Sequence, residues 1–312
     1  MSRKSIGSFL WDLWCIVSII GIWPRFIEPA LLRGKKLKIL SKKVKSPIKI
    51  AFFSDLHWNR SQSSAMLNKL VKKTDDFDPD YLFLGGDFLC EAELFDKEKL
   101  TNYLCRFKAK KGCFAILGNH DYDKPLSINE NGDYDVTSKG APLNKIITRL
   151  FKSTRLTGKT TERAQNLKPH PELLNLLKMT PFECLNNQTQ ETDEINIVGL
   201  GEYMASQANP EKAYQGYNPE KEGVVLVHNP DMIPHLLNFP GCLFLSGHTH
   251  GGQVNLPWIW RRLTAMEDSR FKSGEVQLQE KMAFVSRGVG SLIPFRWFAS
   301  PEVVFVEISP DV

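Results

Sequence analysis

A chain of 312 residues, 42% of them hydrophobic, is long enough for one large domain and does not lack material for its core. Its six cysteines (Cys15, Cys90, Cys105, Cys113, Cys184 and Cys242) are scattered without a CxxC pair, which argues against a disulfide framework or a structural zinc knot and points to a reducing compartment. The net charge of +5 is not a nucleic-acid footprint: residues 1–49 hold eleven Lys and Arg against Asp12 and Glu28, a local balance of +9 that leaves −4 on the rest. Such a block beside an apolar segment suits an anionic membrane surface, at about 1 kcal/mol for each nearby cation.

Residues 5–23, SIGSFLWDLWCIVSIIGIW, are strongly apolar, preceded by Arg3 and Lys4 and stopped by Pro24. Ser5, Ser8, Asp12 and Cys15 share one helical stripe, and bulky apolar residues cover the rest. A charge at mid-span is costly, so the spacing predicts an interfacial or signal-anchor helix with Asp12 turned to water and its tryptophans at headgroup depth. The bulky IWPRF that follows argues against signal-peptide cleavage. The expected plan is a membrane-associated helix over 1–29, a basic linker over 30–47, and one domain over 48–312.

Within that domain, IKIAFF (48–53) reads as a buried strand running into SDLHW, 81–84 as another ending in GGD, and 114–117 as a third ending in GNHD. Residues 65–71 have helical character. Strand, loop and helix alternate, which predicts an α/β domain with its polar residues gathered at the carboxyl ends of strands. From about 122 to 194 the pattern changes to polar segments around two helical ones, LNKIITRLF (143–151) and HPELLNLLKM (170–179), read as an inserted lid. Strand signals return in INIVGL, VVLVHNP and CLFLSGHTH, and again in MAFVSRGVG and EVVFVEI near the end.

Five of these strand ends carry one kind of chemistry: Asp55 with His57, Asp87, Asn119 with His120, His228, and His248 with His250. Five of the seven histidines fall in this set, while His170 and His235 sit in no motif and read as ordinary. In an extended segment residues two apart share a face, so His248 and His250 can converge on one side of a strand end. Carboxylates, an amide and imidazoles without thiolate suit a pair of divalent ions, with Mn(II) first and Fe(II) or Zn(II) also compatible. A Ser or Cys nucleophile has no motif to support it.

The blocks DLH, GD, GNHD, the lone His of VHNP, and GHTH, in that order, resemble the calcineurin-like metallophosphoesterases, over roughly residues 48–308. The resemblance implies a β-sandwich flanked by helices. It assigns Asp55, His57 and His250 to one metal, Asn119, His228 and His248 to the other, and Asp87 as the bridge. Two such cations, about 3.5–4 Å apart, activate water and offset the charge that builds during in-line displacement at phosphorus. His120 then lies near the phosphate as a donor of a hydrogen bond or proton, with Asp121 to orient it and Asn119 close to the substrate.

FIEPALL, SGHTHGGQVNLP and SRGVGSLIPFRW further resemble the membrane-associated bacterial branch of this family, and within it the group that hydrolyses UDP-2,3-diacylglucosamine in lipid A synthesis. That likeness implies a lipid-linked nucleotide as substrate, a membrane surface and no nucleic acid as partners, and a place on the cytoplasmic face of the bacterial inner membrane. Trp258, Trp260, Arg261 and Arg262, with Phe295, Arg296, Trp297 and Phe298, mix rings and cations as an interface requires. Arg287 and Arg296 are candidate diphosphate contacts. Leu143, Ile146, Ile147, Leu150, Leu173, Leu174 and Leu177 are candidates to line an acyl groove. A phosphodiesterase for soluble substrates and a non-catalytic membrane scaffold are the other readings.

Overall fold

A computed structural model describes residues 6–60, 62–137, 155–257, 260–264, 266–293 and 295–311. The apolar N-terminus is helical from the start. Helix α1 (Ile6–Val17) continues in wider turns over Ser18–Ile27, around Pro24, and tightens at Glu28–Ala30. By length and composition, Ile6–Ala30 is long and apolar enough to cross a membrane. No residue of α1 is buried, and Phe9, Trp11 and Trp14 are more than half exposed, so the protein's own core does not cover these side chains. Ser8, Asp12, Cys15 and Ser18, one stripe of the helix, are its partly shielded positions.

The stretch expected as a basic linker contains strand β1 (Arg33–Ser41) instead. It pairs in parallel with the C-terminal strand, from Arg33 opposite Glu302 to Ser41 opposite Pro310. Leu37, Ile39 and Ser41 face inward while Lys36, Lys38 and Leu40 stay out, so KLKILS is an alternating strand whose lysines occupy the exposed face. Lysines on an edge strand also discourage pairing with other chains.

Strands β2 (Ile48–Phe53), β3 (Tyr81–Gly85) and β4 (Gly112–Ile116) follow, with α2 (Ser64–Phe77) and α3 (Lys97–Leu104) between them. Ser63 caps α2 by accepting the Met66 amide. A short hairpin, β5 (Leu126–Ile128) with β6 (Tyr134–Val136), leads through a one-turn helix at Glu162–Gln165 to α4 (Pro171–Leu177), which His170 caps by accepting the Leu173 amide. Strands β7 (Phe182–Cys184), β8 (Gln188–Glu191), β9 (Ile195–Gly199), β10 (Glu222–Leu226), β11 (Leu243–Ser246), β12 (Gly274–Leu278), β13 (Lys281–Val285) and β14 (Glu302–Pro310) complete the fold.

They form two six-stranded sheets, ordered β1-β14-β2-β3-β4-β7 and β12-β13-β11-β10-β9-β8. Both sheets are mostly parallel, with β2, β3, β4 and β7 running together in one and β9, β10, β11 and β13 in the other. The period of two in the apolar runs explains the layering. Ile50, Phe52, Phe83 and Phe114 pack inward against Ile197, Val224, Leu226 and Leu245 of the facing sheet. The alternate residues Ala51, Phe53, Leu82 and Leu84 pack outward under α2, α3 and α4. On the far side, Val198, Val225, Val227 and Phe244 pack with Met232, Ile233 and Phe271. The chain is therefore the helix-flanked β-sandwich implied by its motifs, not the open sheet that alternation alone suggests.

The segment 122–194 is only in part an insertion. Its last two strands, β7 and β8, are the edge strands of the two sheets, and Leu173 and Leu177 are buried in the core under the first sheet. These two leucines are thus spent on the core and unavailable to line an acyl groove, and Leu174 packs against the same cluster. Leu143, Ile146, Ile147 and Leu150 lie outside the described residues, as do Trp258 and the side chain of Arg262.

Candidate metal centre

Parallel strands in both sheets deliver their carboxyl ends to one rim. Asp55 and His57 follow β2, Asp87 follows β3, and Asn119, His120 and Asp121 follow β4; His228 follows β10, and His248 and His250 follow β11. The turns are sharp. Asp55 (φ 55°), His57 (φ 43°), Asp87 (φ 56°), His248 (φ 69°) and His250 (φ 52°) all hold left-handed backbone. For non-glycine residues that costs about 1–3 kcal/mol each, and such strain gathers where the surrounding fold over-determines a functional geometry. Glycines make room: a Cβ on Gly118 would lie 2.3 Å from Asp87 Oδ1, and one on Gly247 2.5 Å from Asp55 Oδ2.

The side chains fall into two groups joined by one carboxylate. In the first, His57 Nε2 and His250 Nε2 are 2.9 Å apart and His250 Nε2 lies 3.7 Å from Asp55 Oδ1. In the second, Asn119 Oδ1 lies 2.8 Å from His248 Nδ1 and 3.2 Å from His228 Nε2. Asp87 Oδ2 sits between them, 3.5 Å from His57 Nε2 and 3.3 Å from His228 Nε2. His248 and His250, neighbours on one loop, thus face different groups.

Backbone carbonyls orient these rings. His228 Nδ1 is 2.7 Å from Gly85 O and His57 Nδ1 is 3.2 Å from Leu89 O, which places the proton on Nδ1 and turns an Nε2 lone pair inward. Asn119 donates through Nδ2 to Leu126 O at the start of the hairpin, so its Oδ1 faces the site. Two inward imidazole nitrogens, His57 Nε2 and His250 Nε2, at 2.9 Å, with buried carboxylates beside them, form a donor set that fits cations. Burial holds His57 down to about 3, and burial, then His57 and Arg296, keeps His250 well below the ordinary imidazole range. Burial lowers His228 too, but Asp87 outweighs it and raises the ring well above that range. Asp55 is pushed up to about 6, chiefly by burial.

His120 sits at the edge of the first group, one ring nitrogen within 4.8 Å of ligand atoms of His57 and Asp87. Its backbone N–H donates to Asp87 Oδ1 (2.9 Å), and its ring packs edge-on to His57, centroids 5.0 Å apart. Nδ1 accepts from Glu91 N at 3.2 Å, so the neutral ring carries its proton on Nε2. Burial lowers its pKa and keeps it neutral. Asp121 does not do what the sequence led us to expect. Its oxygens accept from Leu89 N and Gly118 N, both at 2.9 Å, so it braces the two site loops and does not orient His120.

The two arginines divide. Arg287, with about a third of its side chain exposed, lies beside Gly251 and loosely pairs with Glu302 at 3.9 Å. Arg296, expected at the diphosphate, is 1% exposed. Its Nη1 donates to Arg287 O and Ala299 O, and its Nη2 contacts Gly288 O, Gly290 O and His250 Nδ1. With its donors turned to the protein it is a structural support of the site. Trp260 is partly buried beneath Lys272 Nζ (4.3 Å), and Phe298 is 59% exposed.

Sequence reasoning missed three acidic or polar supports. Ser54 Oγ donates to Asp55 Oδ2 at 2.5 Å. Glu202 is fully buried with one oxygen unpartnered among the described residues, and burial, offset in part by His228, raises it to about 7. Glu28 is buried against residues 298–300. For Glu28 and Glu202 the sequence signal was an acidic residue within an otherwise apolar stretch.

Residues 48–252 match the family model described as calcineurin-like phosphoesterase. The chain belongs to this family. A UDP-2,3-diacylglucosamine pyrophosphatase of Chlamydia muridarum (LpxG) is 37% identical over 90% of this chain and 91% of its own length, and that of Chlamydia trachomatis is 38% identical over the same shares. Phosphodiesterase YaeI of Escherichia coli is 28% identical over 84% of this chain and 83% of its own. As a calcineurin-like phosphoesterase the protein is a hydrolase of phosphodiester or diphosphate bonds, and the family implies divalent metal ions at the ligand cluster.

Proposed function

We propose that the protein hydrolyses the diphosphate of UDP-2,3-diacylglucosamine, giving 2,3-diacylglucosamine 1-phosphate and UMP, at the cytoplasmic face of a bacterial inner membrane. The observation that carries this reading is the likeness to the two chlamydial pyrophosphatases over nine-tenths of both chains. An exposed apolar helix long enough to enter a bilayer supports a lipid-linked substrate. YaeI supports a second reading, phosphodiester hydrolysis of other substrates.

Asp55, His57 and His250 would hold one ion and Asn119, His228 and His248 the other, with Asp87 shared; Mn(II) suits these hard and borderline donors. When bound, such a pair supplies Lewis-acid chemistry, lowering the pKa of water and neutralising phosphoryl charge. Water oxygen bonds to one phosphorus and the bridging oxygen departs with the other. His120, neutral with its proton on Nε2, donates to the phosphoryl or leaving oxygen as charge develops there. Arg287 is the exposed cation beside the His250 loop that suits the second phosphate.

Incubating Mn(II)-loaded protein with UDP-diacylglucosamine in detergent should release UMP, and an Asp87→Ala protein should not. No UMP from wild type, or equal UMP from both proteins, would sink the proposal. Rapid turnover of small diesters with no UMP would favour the second reading.

A further inference from the structure

The N-terminal helix does not merely trail from the domain. Where it ends, Glu28 is 3% exposed and its carboxylate is saturated. Oε1 accepts from Ala299 N (2.8 Å) and Ser300 Oγ (3.1 Å), and Oε2 from Phe298 N (2.9 Å) and Trp23 Nε1 (3.1 Å). One turn earlier, Pro24 O accepts from Arg296 N at 2.8 Å. The loop 296–300 is therefore bonded to the root of the apolar helix at residues 296, 298, 299 and 300. Within it Phe298 holds left-handed backbone (φ 57°), a conformation that costs a bulky residue about 1–3 kcal/mol and needs an external restraint. Glu28 supplies that restraint through the amides of Phe298 and Ala299.

The same loop carries Arg296, which contacts His250 directly and braces the strip behind Asp55. Its Nη2 touches His250 Nδ1 at 3.3 Å, against the ring whose Nε2 faces Asp55 and His57. Its guanidinium also ties the carbonyls of residues 287, 288 and 290, and that strip backs Asp55: Val289 N donates to Ser54 O (3.0 Å) and Gly290 N to Asp55 O (2.7 Å). The side chains of His228, His248 and Asn119 meet Gly85 O, one another and Leu126 O and not Arg296, and the second group touches the first through the His248 backbone N–H, which donates to Asp55 Oδ1 at 2.9 Å.

We infer that Glu28 is a positioning residue: through the 296–300 loop and Arg296 it sets the placement of His250 and Asp55, so that the membrane-facing segment is a working part of the first metal group and not a detachable anchor. The inference rests on the metal-site half of the proposed function and is independent of the lipid substrate. Supports behind metal ligands typically change metal affinity by about 10–100-fold.

The test measures Mn(II) binding by electron paramagnetic resonance on the full-length chain, together with kcat and KM for a water-soluble aryl phosphodiester. Glu28→Ala should weaken one of the two Mn(II) sites about 10–100-fold, leave the other near wild type, and lower kcat more than KM at subsaturating metal. Glu28→Gln, which keeps one acceptor, should fall between. Adding Phe298→Gly to Glu28→Ala removes the backbone strain and should restore much of the lost affinity, which general destabilisation would not allow. Replacing Trp11 and Trp14 by Ala should reduce binding to anionic vesicles while leaving both Mn(II) sites and diester turnover unchanged. Two sites of wild-type affinity in folded Glu28→Ala, equal weakening of both sites, or no recovery in the double variant would each overturn the inference. Because no arm uses UDP-diacylglucosamine, failure here is distinguishable from failure of the substrate assignment.

Discussion

At the scale of single residues, the proposed mechanism assigns one set of groups to the metals and His120 to a proton. Backbone carbonyls fix the far nitrogens of His57 and His228, whereas His120 accepts an amide on Nδ1 and carries its proton on Nε2. His120→Ala should therefore lower kcat by about 10²–10⁴-fold, the usual contribution of a positioned proton donor, with both Mn(II) ions retained by metal analysis. Loss of an ion from this variant would make His120 a ligand and cancel the distinction. The sequence placed His120 apart from its neighbour Asn119, since adjacent residues point to different sides. It misjudged Asp121 and Arg296 because residue type identifies a charge but not the partner that absorbs it. Asp121 meets two amides and Arg296 a ring of carbonyls, arrangements that depend on loops from distant parts of the chain.

At the scale of elements, β1 is the instructive case. Its lysines suggested a solvated linker, yet Leu37 and Ile39 alternate with them and enter the sandwich core at 4% and 7% exposure. Composition outweighed periodicity in the reading, although the alternation was legible. Leu37→Ala should destabilise the domain by about 2–5 kcal/mol, as for other buried leucines, measured by urea denaturation, while Lys38→Ala on the exposed face should stay within about 0.5 kcal/mol. Equal effects at the two positions would mean that β1 is not a fixed member of the sheet. The same lesson applies to 122–194. Helical spacing around Leu173 and Leu177 was visible, but only the packing of α4 under the first sheet shows that these leucines belong to the core.

For the whole molecule, the coupling is between ion binding, protonation and stability. Both sheets end on the same rim, so any ion held there ties β2, β3 and β4 to β10 and β11. Ligand binding to the native state alone adds RT ln(1 + [L]/Kd), about 2.7 kcal/mol at a hundredfold excess over Kd. That stabilisation has a definite pH dependence. Asp55, raised by burial to about 6, and His228, raised by Asp87 against burial, must lose their protons to bind an ion. Protons compete for His228 already above the ordinary imidazole range and for Asp55 as pH falls through about 6, so the metal-dependent stability is lost as pH falls and gained as it rises. His57, lowered to about 3, takes no part over this range. Calorimetry with and without Mn(II) should thus give a larger rise in Tm at pH 7.5 than at pH 5.5, and equal rises would contradict the assignment of Asp55 and His228 as ligands.

The sequence by itself determined the family, the seven ligand candidates and His120, because in this fold those residues sit in short blocks at the ends of apolar strands. It also determined the apolar N-terminus, a property of composition. Tertiary structure decided that two sheets face each other, that β1 closes an edge, and that Glu28 reaches residues 298–300 across the fold. The reason is range: strand ends and periodicity are written within a few residues. Hydrogen-bond partners some 270 positions apart exist only once the chain has been brought together.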